Sequence, residues 1–443
     1  MKFWQSWRLS PFRIILLGFA GVILLGSLLL TLPFATREPG GASFGDALFT
    51  ATSATCVTGL IVQDTATYWS PFGQAILLLL IQIGGLGVVA IAASIALLAG
   101  RKIALAGRNT MQEAIAAPKM GGVVRLTWFA VRTTLLIELI GAVLLAPAFC
   151  RDFGLWRGIW YAVFHSVSAF CNAGFDLMGV RAPFSSLTSF HLDPLVNVVI
   201  MLLIVVGGIG FLTWEDIKVN RWHLRKYRMQ SKVILTTTAI LLFLPAVYYF
   251  FFEFTEGPVS ARIWHALFQS VTARTAGFNT VDLAAMRAPS LLLMMGLMLI
   301  GGSPGSTAGG MKTTTVAVMG ASAVSVFRRR ENARFFGRRV PGGTVRQAAA
   351  ILVMYVVLFL TAGMVIHHVE GLPLLSCLYE TASAIGTVGT TLGITSGLGG
   401  VSRAILILLM FFGRVGGLTM IYAAVSGQKG NVSRLPEEKI TVG

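Results

Sequence analysis

Four glycines, Gly59, Gly174, Gly277 and Gly389, close four short segments of one design. These read "ALFTATSATCVTGL" from Ala47, "AVFHSVSAFCNAGF" from Ala162, "ALFQSVTARTAGF" from Ala266 and "CLYETASAIGTVGTT" from Cys377. Each places an aromatic (Phe49, Phe164, Phe268, Tyr379), then a hydroxyl followed by alanine (Ser53, Ser168, Thr272, Ser383), then the glycine; the third is one residue shorter between Ala273 and Gly277. The chemistry open to such segments belongs to the backbone. Glycine permits angles that turn carbonyl oxygens toward a common axis, and a ring of carbonyls can replace the hydration shell of a cation.

A second stretch imitates enzymes. "GGSPG" puts Ser303 in the G-x-S-x-G pattern of a nucleophile elbow, but the elbow needs a strand before it and a helix within an α/β sheet, and apolar helix flanks this one on both sides. "GSTAGGMKT" imitates a phosphate-binding loop, yet Met311 stands where glycine should precede Lys312. An intramembrane serine hydrolase acting through Ser303 would also lack a paired base at helical spacing. Cys56, Cys150, Cys171 and Cys377 show no metal-ligand spacing and read as small buried hydrophobes.

The elements that must hold the glycine segments lie in lipid. Hydrophobic residues make up 55% of the chain and charged residues 12%, and the mean hydropathy is +0.77. Apolar runs at about 11–34 and 70–100, 123–149 and 194–218, 231–254 and 289–327, and 345–369 and 401–426 each approach the roughly twenty residues that cross hydrocarbon. The first is too long, and lacks a cleavage site, for a signal peptide. The fold class expected is an all-α polytopic membrane protein of four helix–pore loop–helix repeats around a pseudo-fourfold pore. The repeats divide as 1–100, 101–218, 219–340 and 341–443, the last including a C-terminal tail. Eight crossings place both termini on one side. Of the formal +17 charge, much gathers in "RKIALAGR", "KVNRWHLRKYRMQSK" and "RRRENARFFGRR", which puts those segments and the termini in the cytoplasm. Such basic loops meet anionic lipid; nucleic-acid binding is excluded beside the bilayer.

The segments "TCVTG", "CNAGF", "RTAGFN" and "GTVG" resemble degenerate filter strands of potassium channels. Four on one polypeptide resemble the Trk/Ktr/HKT superfamily of potassium transporters. The ending "PEEKITVG", and the absence of two extra N-terminal helices usual in Trk subunits, resemble KtrB, the membrane subunit of bacterial Ktr systems. The resemblance implies potassium-selective uptake across the bacterial plasma membrane. It implies filter positions at Val57, Thr58 and Gly59, at Asn172, Ala173 and Gly174, at Thr275, Ala276 and Gly277, and at Thr387, Val388 and Gly389. In some plant members a serine replacing the first filter glycine goes with sodium permeability; all four positions here are glycine. It also implies a homodimer docked on a cytosolic nucleotide-binding ring like KtrA, with no cofactor in this chain and potassium as the substrate. A sodium- or proton-coupled potassium symporter is the alternative, for which Glu138 is the one midplane carboxylate on offer.

Gly301, Gly302, Ser303, Pro304, Gly305, Ser306, Thr307, Ala308, Gly309 and Gly310 interrupt the third repeat's long second run more heavily than any other. From Pro289 to Ile300 the helix descends about 18 Å, which sets the break just past the midplane, beneath the glycine ring. Counted from Val401, Arg414 lies at about 20 Å, level with the break. An arginine at that depth should face a partner or the pore, and freed carbonyls suit its five donors. We expect the loop to be a mobile gate whose closed form Arg414 holds, as family members resemble; a static kink is the plainer alternative. Further expectations are a Glu138–Gln82 pair, His165 and His265 packed on pore helices with one hydrogen bond each, and a buried Arg274–Glu380 ion pair bracing the filter. "WEDIK" is expected to serve as an interfacial cap.

Overall fold

The computed structural model describes residues 10–99, 103–115 and 121–425; the ending "PEEKITVG" and both termini lie outside the described residues. Helix starts follow from local chemistry. Ser10, Ser70 and Asp193 each precede a proline and accept a hydrogen bond from an N–H in the first turn of the helix that follows, so proline's missing donor falls where none is needed.

The first repeat contains α1 (Pro11–Leu30), α2 (Phe44–Thr55), α3 (Pro71–Leu86) and α4 (Val88–Leu98), and α5 (Leu105–Ile115) leads into the second. The second contains α6 (Val123–Phe153), α7 (Leu155–Phe170), α8 (Pro194–Gly208) and α9 (Phe211–Asn220). The third has α10 (Met229–Tyr248), α11 (Val259–Thr272), α12 (Ala288–Leu299) and α13 (Thr313–Phe327), then a hairpin of β1 (Arg334–Phe335) and β2 (Arg338–Arg339). The fourth has α14 (Gly342–Glu370), α15 (Leu374–Gly386), α16 (Gly400–Val415) and α17 (Gly417–Val425).

In each repeat one long helix (α1, α6, α10 or α14) is apolar enough to cross a membrane. These helices turn aliphatic side chains outward, such as Leu25 on α1 and Val143 on α6, as lipid-facing helices do. The short helices α2, α7, α11 and α15 are enclosed over their C-terminal halves, hydroxyls included; Thr50, Thr52, Ser53 and Thr55 of α2 are all fully buried. Contacts close the repeats into a ring, because α3 packs on α7, α8 on α11, α12 on α15 and α16 on α2.

The second apolar runs differ from continuous spans. All four are broken. The α3–α4 and α8–α9 pairs bend by 95° and 97°, so among the described residues four unbroken long helices, or six spans if each bent pair counts as one, stand where eight crossings are expected. Glycine supplies the corner: Gly87 (φ 89°, ψ 133°), Gly210 (φ 90°, ψ 146°) and Gly416 (φ 89°, ψ 133°) share one left-sided conformation that side chains rarely adopt. Only in the third repeat is the corner expanded into a loop, from Ile300 to Lys312, whose ends meet in a bridge between Ile300 and Met311.

Candidate functional site

The four enclosed helices end at Thr55, Phe170, Thr272 and Gly386, and the chain then turns into four strands of matching dihedral pattern. Val57 (φ 51°), Asn172 (φ 57°), Thr275 (φ 70°) and Thr387 (φ 52°) are left-handed; two residues on, so are Gly59 (91°), Gly174 (69°), Gly277 (84°) and Gly389 (96°). The residue between has ordinary φ in every case. Alternation of this kind turns successive carbonyls to one side of the strand. Non-glycine residues in this region cost free energy, and such strain persists where the surroundings over-determine it, as at ligand clamps.

The strands pack cyclically, which leaves no room for a side chain at the glycines. A methyl group at Gly59 would lie 2.5 Å from the Ala173 oxygen, at Gly174 2.8 Å from the Ala276 oxygen, at Gly277 2.5 Å from the Val388 oxygen, and at Gly389 2.0 Å from the Thr58 oxygen. The middle carbonyl of each repeat therefore sits against the glycine of the repeat before it, all the way round.

The hydroxyl–alanine pairs of the sequence repeat hold these strands. Ser53 and Ser383 accept from the N–H groups of Gly59 (3.0 Å) and Gly389 (2.9 Å). Ser168 donates to the Phe175 carbonyl at 2.7 Å and Thr272 to that of Phe278. The backbone adds Thr58 N to Ser53 O, Ala173 N to Ser168 O and Val388 N to Ser383 O, each 2.8 Å and five residues apart. In the third repeat, one residue shorter, Ala276 N reaches Thr272 O at 3.0 Å, four residues back. The hydroxyls of Thr58, Thr275 and Thr387 are buried without a protein partner, so oxygen lone pairs at this ring are uncommitted. With its amide turned so that oxygen and nitrogen both find partners, Asn172 donates to the Ile204 and Ala169 carbonyls at 3.3 Å. Each of these strands follows directly on a helix C-terminus, the negative end of the helix dipole.

Residues 301–310 lie directly against this ring. A Cβ at Gly309 would meet the Thr387 hydroxyl at 2.2 Å, and one at Gly310 the Gly386 oxygen at 2.8 Å. Neighbouring corners hold the loop through its backbone: Ser303 N donates to Gly208 O (3.0 Å), Thr307 N to Gly207 O (3.3 Å), Gly310 N to Gly413 O (3.1 Å) and Phe211 N to Gly305 O (2.7 Å). Gly301 and Gly302 pair across the loop with Met311 O and Gly309 O. Thr307 also donates its hydroxyl to Phe170 O at 3.0 Å, Ser306 to Ser303 O at 2.7 Å, and Ser303 pairs with Thr313 at 3.1 Å. Lys312 Nζ closes the carbonyls of Ala308 (2.9 Å) and Gly309 (3.3 Å). Pro304, Gly305 and Ser306 are partly exposed; the other seven residues are buried. Arg414 donates to the Thr307 carbonyl from one side and to Gly84 and Gly85 from the other, with Nη2 2.9 Å from Gly85 O.

Four sequences mark these corners: "GGLG" at 84–87, "GGIG" at 207–210, "GRVG" at 413–416 and the Gly301–Gly302 pair. Arg414 thus takes the place held by Gly85 and Gly208. This second repeat was legible beside the first, and the pore-helix motif overshadowed it.

Other expected contacts divide. Gln82 Nε2 donates to Glu138 at 3.1 Å, with the Cys171 thiol 3.7 Å from the other carboxylate oxygen. The Arg274–Glu380 pair does not form. Glu380 is saturated by its own repeat, accepting from Thr391, from Thr395 (2.8 Å) and from Leu392 N (3.3 Å). Arg274, buried on the shortened third turn, leaves its Nε without a partner. His165 makes two hydrogen bonds, with Tyr161 O (2.7 Å) and Leu177 N (3.3 Å), whereas His265 Nε2 has none and stacks near His191. In "WEDIK", Asp216 accepts from Arg228 N (3.1 Å) and Ser231 (2.6 Å), tying α9 to the start of α10.

Past the strands, Asp64 fixes the loops of two repeats, accepting from Ala66 N (3.0 Å) and, across 120 positions, Phe184 N (2.9 Å). Asp176, two residues past Gly174, has its carboxyl pushed up to about 7 by burial, with the Asp64 charge adding to it and a hydrogen bond from Met178 N opposing.

Comparison with known proteins places this architecture. The family described as TrkH, cation transport protein, matches residues 26–433. The potassium/sodium uptake protein NtpJ of Enterococcus hirae is 38% identical over 98% of both chains. The Ktr system potassium uptake protein B of Bacillus subtilis is 36% identical over 98% of this chain and 97% of its own. The crystal structure of the potassium transporter TrkH from Vibrio parahaemolyticus superposes with a TM-score of 0.75, covering 94% of this chain and 85% of that one at 19% identity, a likeness of fold.

Proposed function

The chain belongs to the TrkH cation transport protein family, and from that premise we propose that it takes up potassium across the bacterial plasma membrane, both termini cytoplasmic, through the ring of backbone carbonyls from residues 57–59, 172–174, 275–277 and 387–389. The observation that carries this reading is the cyclic packing of four strands with one dihedral pattern, each glycine abutting the next repeat's carbonyl. A dehydrated cation there meets oxygen on every side, and the ends of four helix dipoles favour it below. The membrane potential drives inward movement with about 2.3 kcal/mol per charge per 100 mV.

Residues 301–310 serve as the gate in this reading. They lie against the ring, and the bonds that hold them run to separate repeats, so relative movement of the corners would release them. The protein acts as a homodimer with one pore per subunit, controlled by a cytosolic nucleotide-binding ring like KtrA. The named Ktr relative supports a subunit of a larger system.

The test is growth of a potassium-uptake-deficient cell on limiting potassium, with each of the four glycines changed to serine in turn. Loss of growth or gain of sodium permeability is expected; normal growth with all four changes overturns the filter. Sodium coupling is the second reading, favoured by the buried Glu138, which is bonded to Gln82 beside Cys171, and by the name of the Enterococcus relative. Uptake independent of external sodium and unchanged in Glu138→Gln would remove it.

A further inference from the structure

The inner ends of α10 and α13 part around a cleft of about 520 Å³ that no neighbouring element fills. Its wall is apolar: Val233 and Ile240 come from α10, Val316 and Val324 from α13. From Val233 to Ile240 the cleft follows about 10 Å of helix axis, and this part of α10 lies in the stretch apolar enough to cross a membrane, Met229–Glu253. Its rim is different. The turn and hairpin after α13 bring Arg328, Arg330 and Arg334 to the cleft, with Phe336 beside them.

Between Arg328 and Arg339 stand six arginines against one carboxylate, Glu331. Among the described residues none of the six is in an ion pair, and all are exposed. Uncompensated guanidinium groups over an apolar slot at the membrane's edge match a molecule with an anionic head and a hydrocarbon tail. A soluble protein would have to push a segment into hydrocarbon to fill the same wall.

We propose that this cleft is a binding site for an anionic phospholipid, the headgroup phosphate on Arg330 and Arg334 and one acyl chain between α10 and α13. Arginine suits the phosphate, since its planar fork donates two parallel hydrogen bonds. The site rests on the cytoplasmic orientation of the hairpin and is independent of the filter and gate.

The experiment is native mass spectrometry of the purified full-length protein titrated with phosphatidylglycerol or phosphatidylcholine of equal chain length, and separately with inorganic phosphate. Phosphatidylglycerol is expected to be retained in preference. Arg330→Gln and Arg334→Gln should each weaken it about fivefold, the equivalent of the ~1 kcal/mol a basic side chain contributes near an anionic surface. Gly320→Leu tests the tail separately: Gly320 lines the cleft, a Cβ there meets nothing within 4 Å, and an unchanged unfolding temperature would show the fold intact. It should abolish preferential retention. Equal retention of both lipids, indifference to all three variants, or full displacement by inorganic phosphate overturns the proposal. So does a soluble partner lost in these variants while phosphatidylglycerol still binds.

Discussion

Arg414 and Gly85 hold corresponding places in two repeats, and they touch: Arg414 Nη2 donates to the Gly85 carbonyl at 2.9 Å while Nη1 reaches the Thr307 carbonyl. The side chain that replaces a corner glycine in the fourth repeat thus reaches the corner of the first repeat and the third repeat's loop, its two neighbours in the ring. Hydrogen bonds from a charged donor are worth about 1.5–3 kcal/mol. If the loop gates the pore as proposed, Arg414→Gln should therefore shift it toward an open arrangement by roughly tenfold or more and raise rubidium flux into liposomes. Flux equal to or below that of the unaltered protein, at equal reconstitution, would count against a latch.

Ser53 tests the bracing of the ring. Ser53→Ala deprives the Gly59 N–H of its acceptor, and a buried unsatisfied donor costs about 1–3 kcal/mol. The strand should relax, lowering the potassium-to-sodium permeability ratio severalfold while the protein remains folded. A ratio unchanged in both Ser53→Ala and Ser383→Ala would show that the backbone bonds suffice.

A corner glycine differs from a glycine inside another repeat's helix. A Cβ at Gly207 would stand 2.0 Å from the Phe170 oxygen, whereas one at Gly296 meets nothing within 4 Å. Gly207→Ala should destabilise by about 1–3 kcal/mol through forced backbone displacement and loosen the Thr307 N–H bond to Gly207. Gly296→Ala should be neutral or stabilise by up to ~1 kcal/mol. Unfolding in detergent reads both; equal midpoints would refute the close approach.

Asp176 gives a pH dependence. Its carboxyl, raised from the ordinary 3.8 to about 7, binds a proton more tightly in the folded chain than in the unfolded one. The stability this contributes is fully present below about 3.8 and is lost as pH rises through about 7. Asp176→Asn, neutral throughout, should lose less stability between pH 5 and pH 8 than the parent. Thermal unfolding of both proteins at both pH values checks it; parallel losses would sink the assignment.

Much of the molecule was legible in its residues because the relevant physics is local. Apolar length fixes which segments can leave water, Ser-Pro and Asp-Pro pairs mark where helices begin, and the aromatic–hydroxyl–glycine motif recurs where the chain turns back. The four left-handed residues at 57, 172, 275 and 387 carry no such mark, since valine, asparagine and threonine there adopt strain that only the closed ring enforces. The Arg274–Glu380 expectation failed for a related reason: charge and proximity in a repeat diagram suggest a partner, but Glu380 finds three donors on its own loop first.

By itself the sequence determined a fourfold membrane protein with a glycine at each turn and a loop in the third repeat, because periodicity, hydropathy and glycine all act over a few neighbouring residues. Only the tertiary structure decided that every second run breaks, that the carbonyl of each repeat rests on a neighbour's glycine, and that Arg414 joins the loop to a corner 329 positions away. Those relations depend on how four repeats close into a ring, and closure is set by packing between segments a hundred residues apart.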